Sequence, residues 1–142
     1  MPGHRKLTLL SRPMAVMTNM KPGPSGISRI IKASGHSMRG IRAAWTFEAA
    51  FRQNTTLSLL LLVASFWLAQ TVVEWLILII PLFLLLIVEL LNSAVESAID
   101  RIGPEIHNLS GRAKDMASAA VFFCLILIAI VWIGMVWSKH YA

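Results

Sequence analysis

Three stretches of the chain are apolar almost without interruption, and a fourth alternates apolar and cationic positions at helical spacing. The first apolar run extends from Ala49 to Ala69, close to the roughly 20 residues a helix needs to cross the hydrocarbon core. After a short turn at Gln70–Glu74, a second run opens near Val73 and loses its apolar character at Glu89. Helical spacing persists to Asp100, so this helix is predicted to protrude from the membrane by about three turns. Pro81 lies inside it and predicts a kink. The third run covers Met116–Trp137, with Ser110 placed to cap its helix. Upstream, Ile27, Ile30, Ile31, Met38, Ile41 and Trp45 gather on one side of a helix, and Arg29, Lys32, Arg39 and Arg42 on the other. A cationic, Trp-anchored helix of this kind lies in the plane of the membrane surface. Gly35 and Gly40 are expected to loosen it into two pieces. The pattern thus predicts an all-α integral membrane protein. Residues 27–142 form the membrane domain, with a surface helix at 27–47 and spans at about 49–69, 73–100 and 112–138.

Composition agrees with this picture. Of the 142 residues, 56% are hydrophobic and 14% charged, and the mean hydropathy is +0.68, which excludes an ordinary soluble domain and a disordered chain alike. Residues 1–26, rich in Pro, Gly, Ser and Met, read as a disordered cytoplasmic tail. Its apolar runs are too short for a signal-peptide core. The formal net charge of +6 comes from cations flanking apolar spans, so lipid headgroups and phosphate substrates account for it and nucleic acid is not an expected partner. Nine of the 13 Lys and Arg residues lie in the N-terminal region up to Arg52, and none lies in the 70–74 turn. Cation asymmetry therefore predicts a cytoplasmic N-terminus and an outside C-terminus. Cys124 sits in an apolar run, where packing is its ordinary role.

The chemistry concentrates where the second span turns polar. Glu89, Asn92, Glu96 and Asp100 recur at i, i+3, i+7 and i+11 and share one stripe of the helix. Carboxylates at a membrane boundary are costly unless paired, hydrated or bound to metal. The predicted topology brings Glu48 and Arg52 of the first span, this stripe, and Arg112, Lys114 and Asp115 of the third helix to one depth. Salt bridges could account for any single member of that set, with Glu48 pairing Arg52 and Lys114 pairing Glu89; five or more polar groups at one depth favour a site. Carboxylates with an amide suit Mg²⁺, and a lysine beside them suits phosphate oxygens. This is equipment for phosphoryl transfer, although the common nucleotide-binding loop motifs are missing from the sequence. His107 reads equally as a nucleotide contact or a solvated loop residue.

The segments EAAFRQ (48–53), IVELLNSAVESAIDRIG (87–103) and LSGRAKDMASAAV (109–121) closely resemble prokaryotic diacylglycerol kinase, and the similarity runs from about Gly26 to Trp137. The resemblance implies a homotrimeric bundle of three spanning helices per chain that phosphorylates diacylglycerol with Mg-ATP. It implies that Glu89 is the catalytic base and that Glu48 and Glu96 bind metal. It places Arg29, Ser37, Asn92, Glu105, His107, Lys114 and Asp115, with both metal carboxylates, around the nucleotide. Glu89, Asn92 and Trp132 fall to the lipid. Ile106 and Asn108 depart from the tyrosine–histidine–glutamate run usual around His107. Three helices have little room for ATP, metal and lipid, so active sites shared between subunits are expected, one subunit's Glu89 and Lys114 meeting another's Glu48. Undecaprenol or another lipid alcohol is an alternative acceptor. A small proton-coupled transporter is a remote alternative, disfavoured because its carboxylates would sit at mid-span.

Overall fold

A computed structural model describes residues 26–103 and 107–141. Every element in it is helical: α1 (Ile27–Phe47), α2 (Ala49–Leu68), α3 (Val72–Asp100) and α4 (Asn108–Tyr141). Contacts divide the chain into two compact units inside α1, after Gly35. In the described part of the first unit, Ile27, Ile30 and Ile31 are exposed and Ser34 Oγ donates to Ile30 O. The backbone of α1 nevertheless continues through Gly35 and Gly40. Each glycine costs a helix only about 1 kcal/mol relative to alanine, and the expected division into two helical pieces does not occur.

The second unit, from His36 onward, is organised by α3, which packs against both α2 and α4. Its 29 residues span about 43 Å, more than the roughly 30 Å of hydrocarbon in a bilayer. The buried positions are Leu78, Ile79, Pro81, Leu82, Leu85, Glu89 and Ser93; of these Leu78, Leu82, Leu85, Glu89 and Ser93 are spaced by three or four along one helix face. Leu82 and Leu85 meet Cys124 and Ile128 of α4 in the core. Trp132 packs against this cluster and donates its indole N–H to Leu78 O at 3.3 Å.

α3 and α4 are both long and apolar enough to cross a membrane. α2 falls short of that apolarity because Arg52, Gln53, Asn54, Thr55 and Thr56 occupy its first two turns. Most large apolar side chains of α2 and α4 point outward, including Leu60, Phe66, Trp67, Phe123, Ile130 and Ile133. Such a surface suits lipid or other apolar helices, not water.

The connections have specific causes. Glu48 is extended (φ −106°, ψ 110°) and separates α1 from α2. Arg52 Nη1 donates to Trp45 O (2.9 Å) and Thr46 O (3.3 Å), so the guanidinium caps the last carbonyls of α1 instead of pairing with Glu48. At the other end of α2, Thr71 Oγ1 accepts from Glu74 N at 3.2 Å, while the Glu74 carboxylate accepts from Gln70 N at 2.9 Å and lies 3.3 Å from Lys139 Nζ. This is a capping-box arrangement joined to the end of α4. The start of α4 is capped by His107, not Ser110: Nδ1 of His107 accepts from Leu109 N at 3.2 Å and its carbonyl accepts from Gly111 N at 3.1 Å. Ser110 therefore lies within the helix. A side-chain acceptor two residues before a free N–H outcompetes a serine already inside the first turn.

Candidate active site

The site is built on the one charged residue of the buried face of α3. Glu89 is only 2% exposed, continuing the row of Leu78, Leu82 and Leu85 at the point where the apolar core ends. Across from it, Asn54 of α2 donates Nδ2–H to Glu89 Oε2 at 2.9 Å. A buried carboxylate without such a donor would be strongly destabilising. Asn54 thus fixes one oxygen and leaves the other available. The charges of Glu48 and Glu96 both bear on Glu89, so three of the predicted carboxylates form one electrostatic neighbourhood within a single chain.

One turn beyond Glu89, Asn92 Nδ2 donates to Glu96 Oε1 at 3.0 Å, and the Asn92 carbonyl oxygen is buried with no hydrogen-bond partner among the described residues. Two helical turns of α3 therefore present an amide oxygen and carboxylate oxygens together. No group of three or more His, Cys, Asp and Glu side chains converges as a ready-made metal cage among the described residues.

Lys114 ion-pairs with Asp100, not with Glu89, and Glu96 also contributes to the negative field around it. Asp100 lies three turns, about 16 Å, beyond Glu89 along α3. The lysine thus stands at the far end of the acidic stripe, with α4 folding back against α3 to bring it there. Asp115 is exposed and its side chain has no partner among the described residues. Arg112 is exposed as well.

Beside the stripe, a cleft of about 570 Å³ opens between α1 and α3, within the size range of small-ligand sites. Ser37 and Glu48 face Ser93 and Ser97 across it, and Gly40, Ala43 and Ala94 keep it open. Not every predicted residue joins. His107 is exposed and spends Nδ1 on its helix cap; Glu105 lies outside the described residues; Arg29 belongs to the first compact unit. Trp132 bonds to Leu78, about 16 Å from Glu89 in the direction away from the stripe. Conversely, Asn54 and Ser93 enter the site without having been singled out from the sequence. The signal for Asn54 was a polar residue two turns into an apolar span.

An all-helical membrane protein with carboxylates, amides and a lysine gathered at one end of its bundle is the class these features define. The chain matches the description "Prokaryotic diacylglycerol kinase" over residues 35–136. It is 50% identical over 119 residues to the diacylglycerol kinase of Escherichia coli, covering 84% of this chain and 98% of that protein. The diacylglycerol kinases of Haemophilus influenzae and Pseudomonas aeruginosa are 42% and 46% identical, each over 78% of this chain and over 94% and 89% of their own lengths. The chain belongs to the prokaryotic diacylglycerol kinase family and is a lipid kinase.

Proposed function

We propose that the protein transfers the γ-phosphoryl group of ATP to the primary hydroxyl of diacylglycerol, forming phosphatidic acid at the cytoplasmic face of the bacterial inner membrane. The observation that carries this reading is Glu89, a buried carboxylate held by Asn54 where the apolar core of α3 gives way to the polar stripe. A lipid hydroxyl at the membrane boundary reaches this point while its chains stay in hydrocarbon. The free oxygen of Glu89 takes the hydroxyl proton as the lipid oxygen attacks the γ-phosphorus, whose bond to the β,γ-bridging oxygen breaks to release ADP. The triphosphate then lies along the stripe toward Lys114, whose ammonium stabilises charge on the phosphate oxygens. Ser37, Glu105, His107 and Arg29 are assigned to the nucleotide beyond the phosphates, and Asp115 to the Lys114 end of the site.

The donor set of the stripe fits Mg²⁺. It is all oxygen, and the unpartnered Asn92 carbonyl beside Glu96 is a ligand lacking a partner. Mg²⁺ commonly binds through one or two carboxylates with substrate phosphates, without a dedicated protein cage. Glu48 and Glu96 would hold it, and it would supply neutralisation of the phosphate charge. In this reading α2 is a third span, its polar first turns lying at the cytoplasmic boundary, with the N-terminus inside and the C-terminus outside. Three chains assemble into a homotrimer with shared active sites. The outward-facing apolar side chains of α2 and α4 support that assembly.

The test is direct. Purified full-length protein in mixed micelles is supplied with diacylglycerol and radiolabelled Mg-ATP, and labelled phosphatidic acid is expected. Absence of label in the lipid, with the protein folded and ATP intact, overturns the reading.

A further inference from the structure

We infer that Ser58 is a positioning residue that donates its hydroxyl to an ester carbonyl of the acceptor lipid, so that the site reads diacylglycerols by their esters as well as by their hydroxyl. The inference rests on the proposed acceptor being a glycerolipid and refines it.

Helix α2 carries four hydroxyl side chains, Thr55, Thr56, Ser58 and Ser65. Three of them take the ordinary course for a helix, donating back to a carbonyl one turn earlier: Thr55 to Phe51 O (2.7 Å), Thr56 to Arg52 O (2.9 Å) and Ser65 to Leu62 O (2.7 Å). Ser58 does not. Its residue is 5% exposed, and its Oγ is buried without a hydrogen-bond partner among the described residues. A buried hydroxyl in that condition costs free energy that a nearby backbone carbonyl would ordinarily remove.

Ser58 lines a groove of about 160 Å³ between α2 and α3, with Thr55, Leu62, Leu82 and Leu86 among its walls. The groove lies one helical turn from the candidate site on both helices. Asn54, which holds Glu89, is one helical turn from Ser58 on α2, and Leu86 is just under one turn from Glu89 on α3. A molecule whose hydroxyl meets Glu89 and whose body enters this groove passes Ser58 about 5–6 Å deeper. What it must bring there is an acceptor in an otherwise apolar channel. In a diacylglycerol, ester carbonyls lie a few bonds from the primary hydroxyl and continue directly into alkyl chains. A polyprenol or simple long-chain alcohol offers only hydrocarbon at that depth and leaves Ser58 unsatisfied. Sites built to hydrogen-bond a substrate group discriminate against analogues that lack it.

The test compares two acceptors of matched chain length in mixed micelles, a diacylglycerol and the corresponding dialkylglycerol, in which both ester carbonyls are absent. The wild-type protein is expected to favour the diester in kcat/KM by about two- to tenfold, the worth of one hydrogen bond. Ser58→Ala is expected to abolish that preference by raising KM for the diester alone, with kinetics on the diether unchanged. Ser58→Thr, which keeps the hydroxyl, is expected to retain it. Equal losses on both acceptors in Ser58→Ala would mark a packing effect and overturn the inference, as would a wild-type protein indifferent to the esters. A wild-type protein that phosphorylates the diester with a ratio Ser58→Ala leaves untouched would sink the Ser58 role alone. Transfer to neither glycerolipid would overturn the acceptor reading and the subsite with it.

Discussion

Glu89 owes its candidacy to its surroundings more than to its identity. Six other acidic residues are present, and among the buried polar and charged side chains of the described residues Glu89 is the one with a carboxylate. Glu89→Gln keeps size and the contact with Asn54 but removes the proton acceptor. Its kcat is expected to fall by about 10²–10⁴, while nucleotide binding measured by titration calorimetry stays close to wild type. A near-normal kcat would exclude the base role. Asn54→Ala acts on the same carboxylate from the other side. Leaving that buried oxygen without its donor is expected to cost about 1–3 kcal/mol of stability and to lower kcat with little change in KM for ATP. Thermal unfolding in detergent together with steady-state kinetics checks both, and an unchanged melting temperature and kcat would make the 2.9 Å bond a spectator. Glu96→Gln belongs with the metal: the Mg²⁺ concentration for half-maximal rate is expected to rise, and an unaltered metal dependence would remove Glu96 as a ligand.

Elements divide the labour along the length of α3. At its first turn, the Thr71 cap and the Glu74 contacts with Gln70 and Lys139 join three helix ends, and Glu89 is about 22 Å away along the axis. Thr71→Ala is therefore expected to lower stability by about 0.5–2 kcal/mol and leave kcat unchanged; a kcat that falls in step with stability would mean that the two ends are coupled. The same separation explains what could be read from the sequence. The acidic stripe was legible because Glu89, Asn92, Glu96 and Asp100 stand out against apolar neighbours at a fixed helical period, a property of one helix alone. Partners across helices were not legible, because they depend on register between α2, α3 and α4. Lys114 pairs with Asp100 instead of Glu89, and Arg52 turns back to the carbonyls of α1 instead of to Glu48. Asn54 illustrates the same gap, since its role exists only where α2 meets α3. The cap expected at Ser110 lies three residues earlier, at His107, where a histidine acceptor displaces the serine from that task.

At the scale of the molecule, one chain supplies most of the candidate site but not all of it in usable form. Glu48, Glu89, Asn92 and Glu96 already share one neighbourhood, whereas Asp115, on the helix that presents Lys114, is exposed and its side chain engages nothing in its own chain among the described residues. A carboxylate left open next to Lys114 in the chain is a group that a neighbouring subunit can use. If sites are shared in this way, the lesions to combine are Glu89→Gln and Asp115→Asn, each inactive as a homotrimer. In trimers re-formed from equal amounts of the two, a site at each interface draws Glu89 from one subunit and Asp115 from the next. Random assembly around a threefold ring leaves about a quarter of such sites free of both lesions. Recovery of about that fraction of wild-type activity is expected. The pair Glu48→Gln and Glu89→Gln is the second arm: if one chain supplies both residues to a site, mixing restores nothing. Recovery from the second pair but not from the first would place the division between Glu48 and Glu89 instead. No recovery from either pair would mean that each chain encloses a site of its own, and that the proposed assembly serves only to cover the apolar faces of α2 and α4.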